Sequence, residues 1–316
     1  TTSTVSTTVT EDADATVVTL TASAGSVPEG GTITYTATVS NAVTGTPLVV
    51  TLNNGTTITI PVGLTSGTSA PVVVRPDDVY NQGTTTVVRS ITGTSGGNYE
   101  ALTTTSTVST TVTEDADATV VSLSVSSAAV TEGTSVTYTV SVANAVTGTP
   151  LAVTLNNGQI ITIPVGQTSA TGPAIILRPD DALVQGTTTT TASITSTSGG
   201  NYEALNTSAT AVTTVTDGPA TATTLTLSSA TNGAAITEGG TITYTATVGT
   251  AVTGSPLVVT LSNGATITIP VGQTTANSAA IPVRGDDVYV QGTQSLAAVT
   301  VSSTSGGNYE GLTPVG

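Results

Sequence analysis

The chain has 316 residues, a net charge of −15 and only 7% charged residues, with no Cys, Met, Trp, Phe, His or Lys. The acidic balance argues against nucleic acid and anionic membrane surfaces as partners and favours cations. The absence of Cys and Lys excludes disulfide staples and lysine-based isopeptide cross-links. No apolar run approaches 18 residues, so neither a transmembrane helix nor a signal peptide is expected.

Thr and Val dominate, and branching at Cβ fits a pleated, half-buried surface, so the whole chain reads as β. In chain order, "TVVTLTAS" is strand A and "TITYTATVS" is strand B. "LVVTLNNGTTITIPV" is a hairpin of strands C and D turning at Asn53-Asn54-Gly55. "APVVVR" is strand E, "TTTVVRSIT" strand F and "LTTTSTVSTTVT" strand G. Seven short alternating strands in about 100 residues predict an immunoglobulin-like β-sandwich.

The pattern then recurs. "GGNYE" stands at 96–100, 199–203 and 306–310; "RPDD" at 75–78 and 178–181 becomes "RGDD" at 284–287. "AVTGTPL" at 42–48 returns at 145–151, and as "AVTGSPL" at 251–257. Three tandem sandwiches in a linear, all-β array are expected. Residues 1–18 are identical to 104–121. Residues 1–10 therefore read as strand G of a preceding or neighbouring repeat. Repeat 1 is assigned to 11–113, repeat 2 to 114–216 and repeat 3 to 217–316, the last lacking its own strand G.

All 19 acids fall into four recurring classes. The linkers hold Glu11, Asp12 and Asp14; Glu114, Asp115 and Asp117; and Asp217. The "EG" before strand B holds Glu29, Glu132 and Glu238. The "DD" after strand E holds Asp77 and Asp78, Asp180 and Asp181, Asp286 and Asp287. The "NYE" before strand G holds Glu100, Glu203 and Glu310. In an up-and-down sandwich the EG loop, the DD loop and the exit of strand G share one end, so Glu29, Asp77, Asp78, Glu114, Asp115 and Asp117 converge there. Glu203 of repeat 2 faces the same linker from the other side. So many carboxylates repel unless a cation or protons intervene. An all-oxygen donor set suits Ca²⁺ better than Mg²⁺, which keeps its waters.

The stretch "VTEGTSVTYTVSVANAVTGTPLAVTLNNGQIITIPVGQTS", followed by "RPDDALVQGTTTTTASITSTSGGNYEAL" and "TTVTD", resembles the immunoglobulin-like extender repeats of giant secreted biofilm adhesins of the large-adhesion-protein type. It is more distantly similar to Calx-β domains, through "EG" and "DD". The resemblance covers all three units. It implies a calcium-dependent, type I-secreted protein of the bacterial cell surface whose repeats hold an adhesive tip away from the cell. The Calx-β likeness implies calcium ligation by Glu29, Asp77, Asp78, Glu114, Asp115 and Asp117, and in repeat 2 by Glu132, Asp180, Asp181 and Asp217. The second linker, "TDGPAT", keeps one acid where "TEDADAT" has three, so that joint is expected to hold metal more weakly.

The expected function is thus structural: an extracellular spacer, rigidified by calcium at its joints, that supports cell adhesion and biofilm formation. One alternative is a fibre subunit that donates its N-terminal strand to the third repeat of the next chain, so that its partners are identical repeats in a head-to-tail homopolymer. Another is a carbohydrate-binding module using Tyr99, Tyr202 and Tyr309. Enzymatic activity is not expected, because no His, Cys or Lys stands ready to activate a nucleophile. Arg75, Arg178 and Arg284 each precede a DD pair and are expected to orient it by a salt bridge.

Overall fold

A computed structural model describes residues 2–315. No helix among the described residues is long and apolar enough to cross a membrane. Repeat 1 contains β1 (Ala15–Ala22), β2 (Ser26–Pro28), β3 (Thr32–Ile33), β4 (Tyr35–Val39), β5 (Leu48–Leu52), β6 (Thr57–Ile60), β7 (Ser66–Thr68), β8 (Val72–Val73), β9 (Thr85–Ser95), β10 (Ala101–Thr103) and β11 (Thr107–Thr113). One sheet runs β10-β1-β4-β7 and the facing sheet β2-β11-β9-β5-β6. β1 lies parallel to β10, and β2 parallel to β11. The first and last strands therefore each divide between the two sheets, which closes the sandwich along one side.

The period-2 pattern decides which face is buried. In β1, Thr16, Val18 and Leu20 point inward and their neighbours face solvent. Leu48, Val50 and Leu52 of β5 do the same, as do Ile58 and Ile60 of β6. Between the sheets lies a core of 15 buried residues, with Tyr35 its largest member. The β5–β6 hairpin turns where Gly55 takes φ +82°, and the Asn54 side chain accepts the Thr56 amide at 3.2 Å. The expected strand E differs from the structure. "APVVVR" is not one strand, because Pro71 lies inside it and offers no amide to a ladder. Its place is taken by two short pieces, β7 on β4 and β8 on β3.

Repeat 2 follows the same plan, with Thr188–Ser198 in the place of β9 and Thr210–Thr216 in the place of β11. Repeat 3 does not. Its first strand, Ala222–Ser229, pairs in parallel with Gly311–Val315, the counterpart of β10. It thus carries the first segment of strand G, while counterparts of β2 and β11 are not found among the described residues. The β9 counterpart shrinks to Val301–Ser305, and the third core keeps 9 buried residues. Residues 2–14 form no strand and are exposed.

Candidate metal centre at the joints

The turn from β2 to β3 carries "EG", the loop from β8 to β9 carries "DD", and β11 runs into the linker, so all three arrive at one end of repeat 1. Gly30 has φ +68°, and a Cβ there would lie 2.9 Å from the Asp77 Cβ. Gly133 and Gly239 meet Asp180 and Asp286 in the same way. The glycine thus lets the two acidic motifs touch.

Arg75 is the hub of this end. Its Nε donates to Glu29 at 3.2 Å, Nη2 to Glu114 at 2.7 Å, and Nη1 to the Gly83 carbonyl at 3.0 Å. Arg178 repeats this with Glu132 at 3.1 Å and Asp217 at 2.7 Å. The expected pairing of the arginines with the DD aspartates is therefore corrected. Each arginine instead ties the EG glutamate to the linker acid. Asp78 is turned into its own loop, accepting the Tyr80 amide at 2.7 Å and the Gln82 side chain. Asp181 and Asp287 do likewise with Leu183 and Gln185, and with Tyr289 and Gln291.

Carboxylates gather around this frame. Oxygens of Glu29, Asp115 and Glu203 lie within 4.8 Å of one another, as do those of Asp77, Asp115 and Asp117. The second joint groups Glu132, Asp217 and Glu310; the start of the chain groups Asp12, Asp14 and Glu100. Glu11, Glu114, Asp180, Glu238 and Asp286, like Asp78, Asp181 and Asp287, stand outside these groups. Asp180 accepts from the Thr221 hydroxyl at 3.2 Å, and Glu238 pairs with Arg284 at 2.5 Å. The NYE glutamates bind the linker backbone: Glu203 accepts the Asp117 amide at 2.8 Å, Glu310 the Thr221 amide at 2.7 Å and Glu100 the Asp14 amide at 2.8 Å.

The two joints differ in what they leave unpaired. At the first, Glu29 Oε1, Glu114 Oε2 and Glu203 Oε1 are buried and accept no hydrogen bond. The Glu29 side chain is wholly inaccessible. At the second, the Gly218 amide reaches Glu132 Oε1 at 3.4 Å, and among its acids only Glu310 Oε1 is left buried and unpaired. A buried, unpaired carboxylate oxygen is costly, and either a proton or a cation relieves it. Without a cation, protons collect. Glu203 is pushed up to about 7, foremost by the close approach of the Glu29 carboxylate, then by desolvation and the approach of Glu114; the Asp117 amide opposes the shift. Asp77 is raised by desolvation and by the charges of Asp115, Asp117 and Asp78. Desolvation opposes ionisation of Glu114 too, but the hydrogen bonds from the Gln82 amide and Arg75 hold it low.

The joints are also stitched by backbone. Tyr80 and Tyr202 form an antiparallel bridge and their rings stack at 5.5 Å; Leu183 and Tyr309 bridge at the second joint. Asn201 donates its side-chain amide to the Asn81 carbonyl at 2.9 Å, and Asn308 to that of Val184 at 2.6 Å. Tyr99, Tyr202 and Tyr309 donate their hydroxyls to the carbonyls of Asn41, Asn144 and Thr250 at 2.6–2.7 Å. The sequence reading missed this stitching and the glutamines beside the second aspartate. The recurrence of "YNQG", "LVQG" and "YVQG" after each DD was the available signal.

The described residues thus form a tandem array of β-sandwiches whose joints are lined by acids and stitched by backbone. Residues 14–116, 117–218 and 221–314 each match the LapA domain, and the chain belongs to that family. Among solved structures it is similar to a tetra-tandem repeat from the extending region of a large adhesion protein, at 20% identity over 95% of this chain and 73% of the other, with a TM-score of 0.35. It is also similar to the Escherichia coli adhesin FdeC, at 18% identity over 95% and 97% of the two chains, with a TM-score of 0.24. No curated protein matches the chain.

Proposed function

We propose that this chain is a non-catalytic, extracellular spacer of a bacterial surface adhesin, in which calcium bound between repeats stiffens the array and supports adhesion and biofilm formation. Membership of the LapA domain family supports the adhesin role. The observation that carries the calcium reading is the set of buried oxygens on Glu29, Glu114 and Glu203 that accept no hydrogen bond where two repeats meet. These residues, with Asp77, Asp115 and Asp117, fit a hard cation: every donor is oxygen and the carboxylates come from both repeats. Calcium would neutralise their repulsion and join repeat 1 to repeat 2. At the second joint Glu132, Asp217 and Glu310 would hold it with fewer charges. Extracellular sites of this kind bind with Kd of about 10⁻⁴–10⁻³ M, and at 100 times Kd each adds about 2.7 kcal/mol to the folded state. Calorimetric titration of the metal-free chain tests this reading. Heat should saturate in the millimolar range and diminish in Glu29→Gln and Asp115→Asn; a flat titration would refute it.

A further inference from the structure

The composition leaves one kind of side chain readily open to one-electron oxidation. There is no Cys, Met, Trp or His, and there are 8 Tyr. An oxidant that takes a single electron from a side chain therefore takes it from tyrosine. Where the tyrosines stand relative to one another decides what such oxidation does.

Two of them meet across the first joint. Tyr80 belongs to the DD loop of repeat 1 and Tyr202 to the NYE loop of repeat 2. Their ring centroids lie 5.5 Å apart with 29° between the planes, the one stacked aromatic pair among the described residues. Backbone clamps them on both sides: the Asn81 amide donates to the Asn201 carbonyl at 2.9 Å, and the Glu203 amide to that of Val79 at 3.1 Å. The phenolic ends are fixed as well. The Tyr80 hydroxyl donates to the Ala145 carbonyl at 2.7 Å and the Tyr202 hydroxyl to the Asn144 carbonyl at 2.6 Å. Carbonyls of adjacent residues thus hold the two phenolic oxygens near each other, and with them the ortho carbons beside each oxygen. Both side chains are half-buried, whereas Tyr35 and Tyr138 are sealed in the cores of their sandwiches.

The second joint lacks one half of the pair. Leu183 bridges Tyr309 as Tyr80 bridges Tyr202, because "DDVYNQG" at 77–83 becomes "DDALVQG" at 180–186. Tyr309 keeps its hydroxyl bond, to the Thr250 carbonyl, with no ring stacked on it among the described residues.

We propose that Tyr80 and Tyr202 form an oxidative cross-linking site, where a one-electron oxidant of the peroxidase class, consuming hydrogen peroxide, joins repeat 1 to repeat 2 through a dityrosine bond. Each phenol gives up its hydroxyl hydrogen as one electron and one proton, leaving two phenoxyl radicals whose unpaired spin extends to the ortho carbons. A carbon–carbon bond forms between one ortho carbon of each ring, and the hydrogens on those carbons pass through solvent to the phenolic oxygens. The two electrons and two protons lost reduce one hydrogen peroxide to two waters. Rings already stacked and tethered need little further motion to couple, so this bond outruns coupling between chains. The product closes a loop longer than a whole repeat, which restricts the unfolded chain. It also fixes the joint when cations are withdrawn. None of its atoms belongs to the carboxylates, so its failure would leave the calcium reading untouched.

Oxidation of the full chain by a peroxidase and hydrogen peroxide tests the site. Dilution, together with Tyr289→Phe to remove a 72% exposed tyrosine, suppresses bonds between chains. The monomer should gain the blue fluorescence of dityrosine and lose the mass of two hydrogens, and peptide mapping should place the bond between residues 80 and 202. The oxidised chain should melt higher than the untreated one, and chelation should no longer broaden its scattering. Tyr80→Phe, which keeps the ring but not the phenol, should abolish the product. Leu183→Tyr should add a second bond, to Tyr309, with the loss of two more hydrogens. Oxidised chain without dityrosine, with bonds only at other tyrosines or only between chains, or with undiminished yield in Tyr80→Phe, overturns the proposal. A Leu183→Tyr chain that gains no bond overturns the claim that the geometry of the joint selects the pair.

Discussion

Repeats 1 and 3 share their motifs almost letter for letter, and they differ in one strand. Among the described residues, repeat 1 has β11 and repeat 3 has the segment Gly311–Val315 that precedes it. What disappears with that strand is more than its own ladder. The counterpart of β2, which pairs only with β11, does not form, and the β9 counterpart loses the half that leaned on it. Tyr244 is only half-buried where Tyr35 is fully buried, and the core falls from 15 buried residues to 9. A strand at the seam of two sheets thus organises three elements, and local propensity for β structure does not replace it.

That comparison can be broken most severely by spoiling β11 in place. Val112→Asp puts a charge in the wholly buried seam and should cost repeat 1 more than about 3 kcal/mol. Thermal melting should show repeat 1 unfolding well ahead of repeat 2. The next effect separates the two arginine hubs. Glu29→Ala leaves Arg75 buried beside Glu114 alone and should cost about 3 kcal/mol. Glu238→Ala, at a partly open pair, should cost under about 1 kcal/mol. Equal losses in denaturant melts would show that burial is not what distinguishes the repeats.

A smaller effect concerns protons. Glu203 is raised from 4.5 to about 7 without metal, so the folded joint holds a proton that the unfolded chain releases. The stability it contributes is fully present below pH 4.5 and is lost as pH rises through about 7. Metal-free chain should therefore melt higher at pH 5 than at pH 7.5, and Glu203→Gln should flatten that difference. With calcium present the sign reverses, because metal binds the deprotonated ligands. The smallest expected effect lies between the joints: Asp217→Asn should change calcium affinity less than Asp115→Asn, as the second joint already satisfies Glu132 through the Gly218 amide.

Much of this was legible in the sequence, for identifiable reasons. Alternation in "TVVTLTAS" and the Asn-Asn-Gly turn are local, and both appear in the structure. The gathering of EG, DD and linker acids followed from strand direction alone. Four features were not legible. Strand E breaks at Pro71, and the apolar run 70–74 hid the break. The division of the first and last strands between two sheets is a property of the closed sandwich, not of either strand. Arg75 stands two residues before Asp77, yet it pairs with Glu29 and Glu114, because the fold brings the turn after β2 and the end of β11 to its guanidinium. The tyrosine stack joins residues more than a repeat apart and left no local trace.

The measurement closest to the central claim is small-angle scattering and thermal melting of one sample in millimolar calcium and again after chelation. If cations lock the joints, chelation lowers the melting temperature and broadens the distribution of end-to-end lengths, and both recover on adding calcium back. Identical scattering curves and melting points in the two states would contradict it.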